Sequence, residues 1–137
     1  MNLPIIPSML LVFGLGACAS DPVYYPPARE TVADYVVVNQ LSEVEHIRKS
    51  DRDSWQYVND VYLIYRGRPN DYLVELKHIC DGLADNSTLP VADLIHNHRY
   101  LRATDTFRGC IVEKIYAISN AQRDELRRLG VSPGEYK

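Results

Sequence analysis

Ser54-Trp-Gln-Tyr-Val-Asn-Asp-Val-Tyr-Leu-Ile-Tyr65 is the stretch on which the fold turns. Two runs of β-branched and aromatic residues flank Asn59-Asp60, residue types that tolerate positive φ, and the pattern reads as a β-hairpin. Closure over two residues sets Val58 opposite Val61, Tyr57 opposite Tyr62 and Trp55 opposite Ile64. Both faces of such a ribbon carry apolar side chains. It is therefore expected to be covered on both sides, at least in part.

Downstream, Gly67-Arg-Pro-Asn-Asp71 is a turn cluster and Tyr72-Leu-Val-Glu-Leu76 the next strand. Cys80-Asp-Gly-Leu83 and the polar residues 84–90 form a loop, and residues 91–96 and 100–107 are candidate strands. Arg108-Gly109 turns the chain into Cys110-Ile-Val-Glu-Lys-Ile-Tyr-Ala117, whose alternation is the clearest strand of the second half. Upstream, Tyr35-Val-Val-Val38 is short and β-branched and reads as a strand. Residues 39–53 are polar without a firm period, with Val44 and Ile47 on one helical turn or an irregular strand.

The C-terminal part is different. Ser119-Asn-Ala-Gln122 has capping-box spacing, and Ile118, Gln122, Leu126 and Leu129 fall on one helical face. Asp124 and Glu125 are placed to pair with Arg127 and Arg128, and Gly130 ends the helix with Pro133 beyond. The fold expected is α+β: a small, mainly antiparallel, twisted sheet of about five or six strands with a C-terminal helix packed on it and one disulfide.

The first charge of the chain is Asp21, behind the apolar run Leu10-Leu-Val-Phe-Gly-Leu-Gly-Ala-Cys18. The run is too short to span a bilayer, which takes ~20 apolar residues, but it has the length of a secretory h-region. Leu15-Gly16-Ala17-Cys18 resembles the lipobox of bacterial lipoproteins, in which the cysteine is acylated and the chain is cut just before it. The segment 1–7 departs from that pattern, since it holds no Lys or Arg. The resemblance implies a lipoprotein signal peptide over 1–17 and a lipidated Cys18. Pro26-Pro27 in a polar stretch reads as an extended tether, so 18–30 is taken as the lipidated cysteine and its Pro-rich tether, and the remaining length suits a single globular domain over 31–137. Ala19 and Ser20 follow the cysteine in place of an aspartate, which by the same resemblance implies the outer membrane, at its periplasmic face.

The chain has 15 Lys and Arg against 18 Asp and Glu, a formal net charge of −3, and no basic run longer than Arg127-Arg128. A nucleic-acid partner is not expected, and the balance argues against an anionic-lipid surface. With Cys18 given to lipid, Cys80 and Cys110 remain in an oxidising compartment, where a disulfide is the default. Neither belongs to a C-x-x-C pair, so they are poor metal ligands.

From about residue 41 to 129 the chain resembles a family of small proteobacterial lipoproteins and secreted proteins known only as a domain of unknown function. Trp55, Asp60, Tyr72-Leu-Val-Glu-Leu76, Cys80, Gly82-Leu83, Asp105, Gly109-Cys110 and Ile115-Tyr116 carry the likeness. It implies a fold and a Cys80–Cys110 disulfide but no activity. The chain departs from it at Asp81, where the family often has proline.

Candidate chemistry is sparse. His96 and His98 share a face if their segment is extended and, with Asp93 or His78, could ligate zinc or copper; a polar hairpin tip is the favoured reading. Asp51, Asp53 and Asp60 could be read as paired carboxylates for acid–base work, but Asp60 fits a turn, and Asp51 and Asp53 flank Arg52 in a solvated stretch. Trp55, Tyr57, Tyr62 and Tyr65 could form a platform for a glycan or peptide, with core packing the favoured reading. Tyr24-Tyr25 suit headgroup contact. No cofactor, catalytic residue or metal site is expected. The expected function is a non-enzymatic envelope binding or accessory module, with an envelope protein or glycan as partner. The alternatives are a periplasmic metal-binding protein using His96 and His98, or an enzyme with an unrecognised site.

Overall fold

The computed structural model describes residues 24–84 and 99–130. In chain order these form α1 (Arg29–Val38), β1 (Ser42–Val44), β2 (His46–Arg48), β3 (Ser54–Tyr57), β4 (Tyr62–Arg66), β5 (Asp71–Leu76), β6 (Tyr100–Arg102), β7 (Thr106–Phe107), β8 (Cys110–Ile118) and α2 (Asn120–Arg128). The main sheet has six strands in the order β1-β8-β5-β4-β3, with β7 also paired to β8, and β2 and β6 make a separate two-stranded ribbon. Every pairing among them is antiparallel. The expected α+β architecture, with its C-terminal helix and its Cys80–Cys110 disulfide, is the one found.

The central hairpin forms one residue out of the expected register. Trp55 faces Tyr65, Gln56 faces Ile64 and Tyr57 faces Leu63. The cause is Asn59, whose Oδ1 accepts from the backbone N–H groups of Val61 (2.9 Å) and Tyr62 (2.8 Å). An asparagine folded back on its own backbone in this way lengthens the loop. Because side chains alternate, a one-residue slip exchanges the faces. Trp55 thus shares its face with Leu63 and Tyr65, while Tyr62 and Ile64 lie on the other.

Both faces are covered. On one, Leu63, Tyr65, Val74 and Ile115 pack with Trp55, Phe107, Leu83 and the ribbon residues Ile47 and Leu101. On the other, Tyr62, Ile64, Leu73 and Tyr116 pack beneath Val32 of α1 and Leu126 of α2. Residues 35–38 are therefore helix, not strand. Val32, Tyr35 and Val36 stand at i, i+3, i+4, and this face meets the second core. The burial outweighs the few tenths of a kcal/mol by which valine disfavours helix. The segment 39–53 resolves into the irregular-strand alternative, with β1 on β8 and β2 on β6. Residues 100–107 are two short strands, not one, because the chain turns at Ala103 and Thr104 (φ 73°). Arg108-Gly109 makes the expected tight turn, both at positive φ (49° and 77°), and closes Phe107 onto Cys110.

Cys80 follows β5 and Cys110 opens β8, and these strands pair from Asp71–Ile118 to Leu76–Val112. The bonded cysteines have Cα atoms 5.9 Å apart, inside the range a disulfide requires.

Residues 24–30, read as tether, lie against the domain. Pro27 is buried, and its carbonyl accepts from Asn59 Nδ2 at 3.1 Å. The Tyr24 hydroxyl donates to the Val58 carbonyl at 3.1 Å. A Cβ at Gly130 would run into the Tyr24 ring, so glycine at the end of α2 admits the amino-terminal segment. Helix α2 has the expected capping box: Ser119 Oγ accepts from Gln122 N, and Gln122 Oε1 accepts from Ser119 N. Its expected ion pairs are replaced. Arg123 reaches Asp71 of β5 at 2.7 Å and Asp124 at 3.3 Å, and Glu125 accepts from the Tyr35 hydroxyl of α1. Ser119→Ala is expected to lower stability by about 1 kcal/mol, the usual worth of an N-cap, measured by urea denaturation with an unchanged m value.

Candidate functional site: an aromatic cleft at β3

Among the described residues β3 is the last strand of the sheet, so side chains from both of its faces meet at its edge. There a cleft of about 520 Å³ is lined by Tyr24, Trp55, Gln56, Tyr57, Ala84 and Arg127. Trp55 and Tyr57 come from one face of β3 and Gln56 from the other. Arg127 comes from the last turn of α2, and Tyr24 from the segment docked over Val58.

The rings hold each other in place. Tyr24 meets Tyr57 edge-on, with centroids 6.4 Å apart, and Trp55 meets Phe107 edge-on at 5.3 Å, geometries favoured by the ring quadrupoles. The Tyr57 hydroxyl donates to Asp60 Oδ1 at 2.9 Å, which fixes the ring at the rim. Burial raises the Tyr24 hydroxyl above its ordinary pKa, so it is a neutral donor at physiological pH. Ring faces, an amide and a guanidinium in one concavity suit a ligand with apolar ring or side-chain surface and acceptor oxygens.

Of the four aromatics read as a platform, only Tyr57 and the largely buried Trp55 line this cleft; Tyr62 and Tyr65 are core. Sequence reasoning missed Tyr24 and Arg127. One stood in a stretch read as tether, the other in an expected helix ion pair, and no local spacing links them.

The three aspartates do not form a pair. Asp51 is exposed. Asp53 is buried, unlike the solvated reading, with Oδ2 accepting from the Tyr65 hydroxyl at 2.6 Å and Ser50 N at 2.9 Å. Asp60 is exposed and bonds Tyr57, and Asn59 makes the turn instead. Among the described residues no three His, Cys, Asp or Glu side chains are grouped to hold a metal ion. His78 is exposed, while Cys18, Asp93, His96 and His98 lie outside the described residues.

A second polar group lies under α1. Glu75 Oε2 accepts from the Tyr116 hydroxyl at 3.3 Å. Burial and the Glu75 charge raise Tyr116, and the same two causes push Tyr62 up to about 12, against a lowering by Arg29. Glu75 thus gives the buried Tyr116 hydroxyl its partner.

A family model described as a family of unknown function, DUF6491, matches residues 1–130. The chain belongs to this family. The matched span takes in the whole DUF6491 domain described above, the disulfide and the apolar run before Cys18. No curated protein and no solved structure matches the chain. Family membership assigns the cleft no ligand and the protein no reaction.

Proposed function

We propose that this DUF6491 member is a proteobacterial lipoprotein, cut before Cys18, acylated there and held at the periplasmic face of the outer membrane. It acts without catalysis, as a binding or accessory module whose ligand lies in the cleft at β3. The observation that carries this reading is the apolar run ending in Leu15-Gly16-Ala17-Cys18. The Cys80–Cys110 bond supports export, because such bonds persist in oxidising compartments. The ring-lined cleft, without an acid–base pair or nucleophile among its lining residues, supports binding over chemistry.

Fractionation of the host envelope tests the anchor. The native chain is expected with outer membranes and Cys18→Ser in the soluble periplasmic fraction; a Cys18→Ser chain that stays on membranes contradicts the proposal. For the cleft, a photo-crosslinking residue in place of Gln56 should capture a discrete envelope component, and one in place of the exposed Glu113 should not. Tyr57→Ala should abolish the capture. Equal labelling from both positions would remove the cleft from the account.

A further inference from the structure

Tyr24 has two places in the structure. Its ring is a wall of the cleft at β3, and it stands at the outer end of the segment that leads into α1. Residues 24–28 form neither helix nor strand, apart from a single bridge at Tyr25. Their inner end is pinned in the domain. Pro27 is buried, Asn59 Nδ2 donates to its carbonyl at 3.1 Å, and Asn59 Oδ1 holds the β3–β4 loop. At the outer end the Tyr24 hydroxyl donates to the Val58 carbonyl at 3.1 Å, and the ring meets Tyr57 edge-on. The ring also fills the space that a Cβ on Gly130 would need.

The two ends differ in what release would cost. Freeing Pro27 would leave its carbonyl and the buried Asn59 amide without their bond. Tyr24 is 36 % exposed even when docked, so its hydroxyl exchanges a bond to Val58 for one to water. Pro26 and Pro27 fix φ and stiffen the chain between the ends, so docking sacrifices little freedom. An element of this kind has two arrangements, docked and swung out, close in free energy. We propose that residues 24–26 are an arm hinged at Pro27, and that its docked position completes the cleft for its ligand. The inference rests on the reading of the cleft as a binding site. With Tyr24 docked the cleft still measures about 520 Å³, so the ring walls the ligand and does not exclude it. Ligand and arm therefore hold each other in place, and the coupling is reciprocal. Since residues 18–23 lead directly into the arm, whatever holds Cys18 is linked through Tyr24 to the occupancy of the cleft.

Gly130→Ala is the test, because its methyl group takes the place of the Tyr24 ring. Gly130 is not at positive φ, so alanine suits its backbone. Chymotrypsin reads the arm: a cut after Tyr24 needs that side chain released, and Pro26 blocks a cut after Tyr25. With its urea midpoint unchanged, Gly130→Ala should be cut after Tyr24 at least ~tenfold faster than the native chain, as the open population grows. Tyr24→Phe, which loses only the bond to Val58, should be cut ~fivefold faster and decides the matter if Gly130→Ala folds poorly. The photo-crosslinking residue at Gln56 reads the cleft. Its capture of the envelope component should fall at least ~fivefold in Gly130→Ala and in Tyr24→Ala. In a Tyr24→Ala background Gly130→Ala should add nothing, since both act through one ring. Cutting of both Gly130→Ala and Tyr24→Phe at the native rate overturns the hinge. Full capture by a Gly130→Ala chain that is cut rapidly overturns the coupling but leaves the cleft as a binding site. No capture by the native chain refutes the cleft itself and the coupling with it.

Discussion

Cys80→Ser and Cys110→Ser should each lower the unfolding free energy by about 3–4 kcal/mol, and the double variant should be little worse than either. The bond closes a loop of 30 residues, and restricting such a loop in the unfolded chain is worth that much on the chain-entropy model. Its sulfur atoms also lie in the first core, where Cys80 is buried with Leu83 and Phe107. A small domain holds about 5–15 kcal/mol in total, so the loss should appear as earlier thermal unfolding and faster proteolysis. Denaturation of the single and double variants without reductant reads it directly. Additive losses, with the double variant twice as damaged as each single, would show that the serines act through packing and not through the missing bond.

Alkali should unfold the protein more abruptly than its size suggests. Tyr62 is pushed up to about 12, by burial first and by the Glu75 charge second. Tyr65 is raised by burial and then by its bond to Asp53, and Tyr116 by burial and then by Glu75. An unfolded tyrosine titrates near ~10, so above that pH the unfolded chain releases protons that the folded chain keeps. The stabilisation from these rings is complete below pH ~10 and is lost as pH rises towards the folded-state values. Each ring costs about 1.4 kcal/mol per pH unit in that window, so three together cost about 4. The fold should collapse between pH ~11 and ~12, with tyrosinate absorbance and loss of β-sheet circular dichroism rising together. Tyr62→Phe should flatten the fall by about a third. Ionisation of all the tyrosines at pH ~10 with the sheet intact would contradict this packing.

The parts of the fold visible in the sequence were those fixed by local patterns. The strand Cys110–Ile118 alternates, Ser119 and Gln122 cap their helix, and Arg108-Gly109 turns at positive φ. Each of these depends on a few adjacent residues. The errors arose where distant groups decide. Tyr35-Val-Val-Val38 reads as strand by composition, but Val32, Tyr35 and Val36 find a sheet face and Leu126 to pack on. The hairpin register depends on the Asn59 side chain choosing the Val61 and Tyr62 amides, which the dipeptide Asn-Asp does not announce. The cleft was less legible still. Trp55 and Tyr57 stood out as aromatics, but Tyr24 and Arg127 join them only through the docking of residues 24–30 and the end of α2.

Mass spectrometry of the intact chain extracted from its native envelope tests the central claim most directly. The account predicts a polypeptide that begins at Cys18, carries a diacylglyceryl group on its sulfur and an acyl group on its amine, and retains the Cys80–Cys110 bond. A chain that begins at any other residue, or one whose Cys18 carries no lipid, would contradict it.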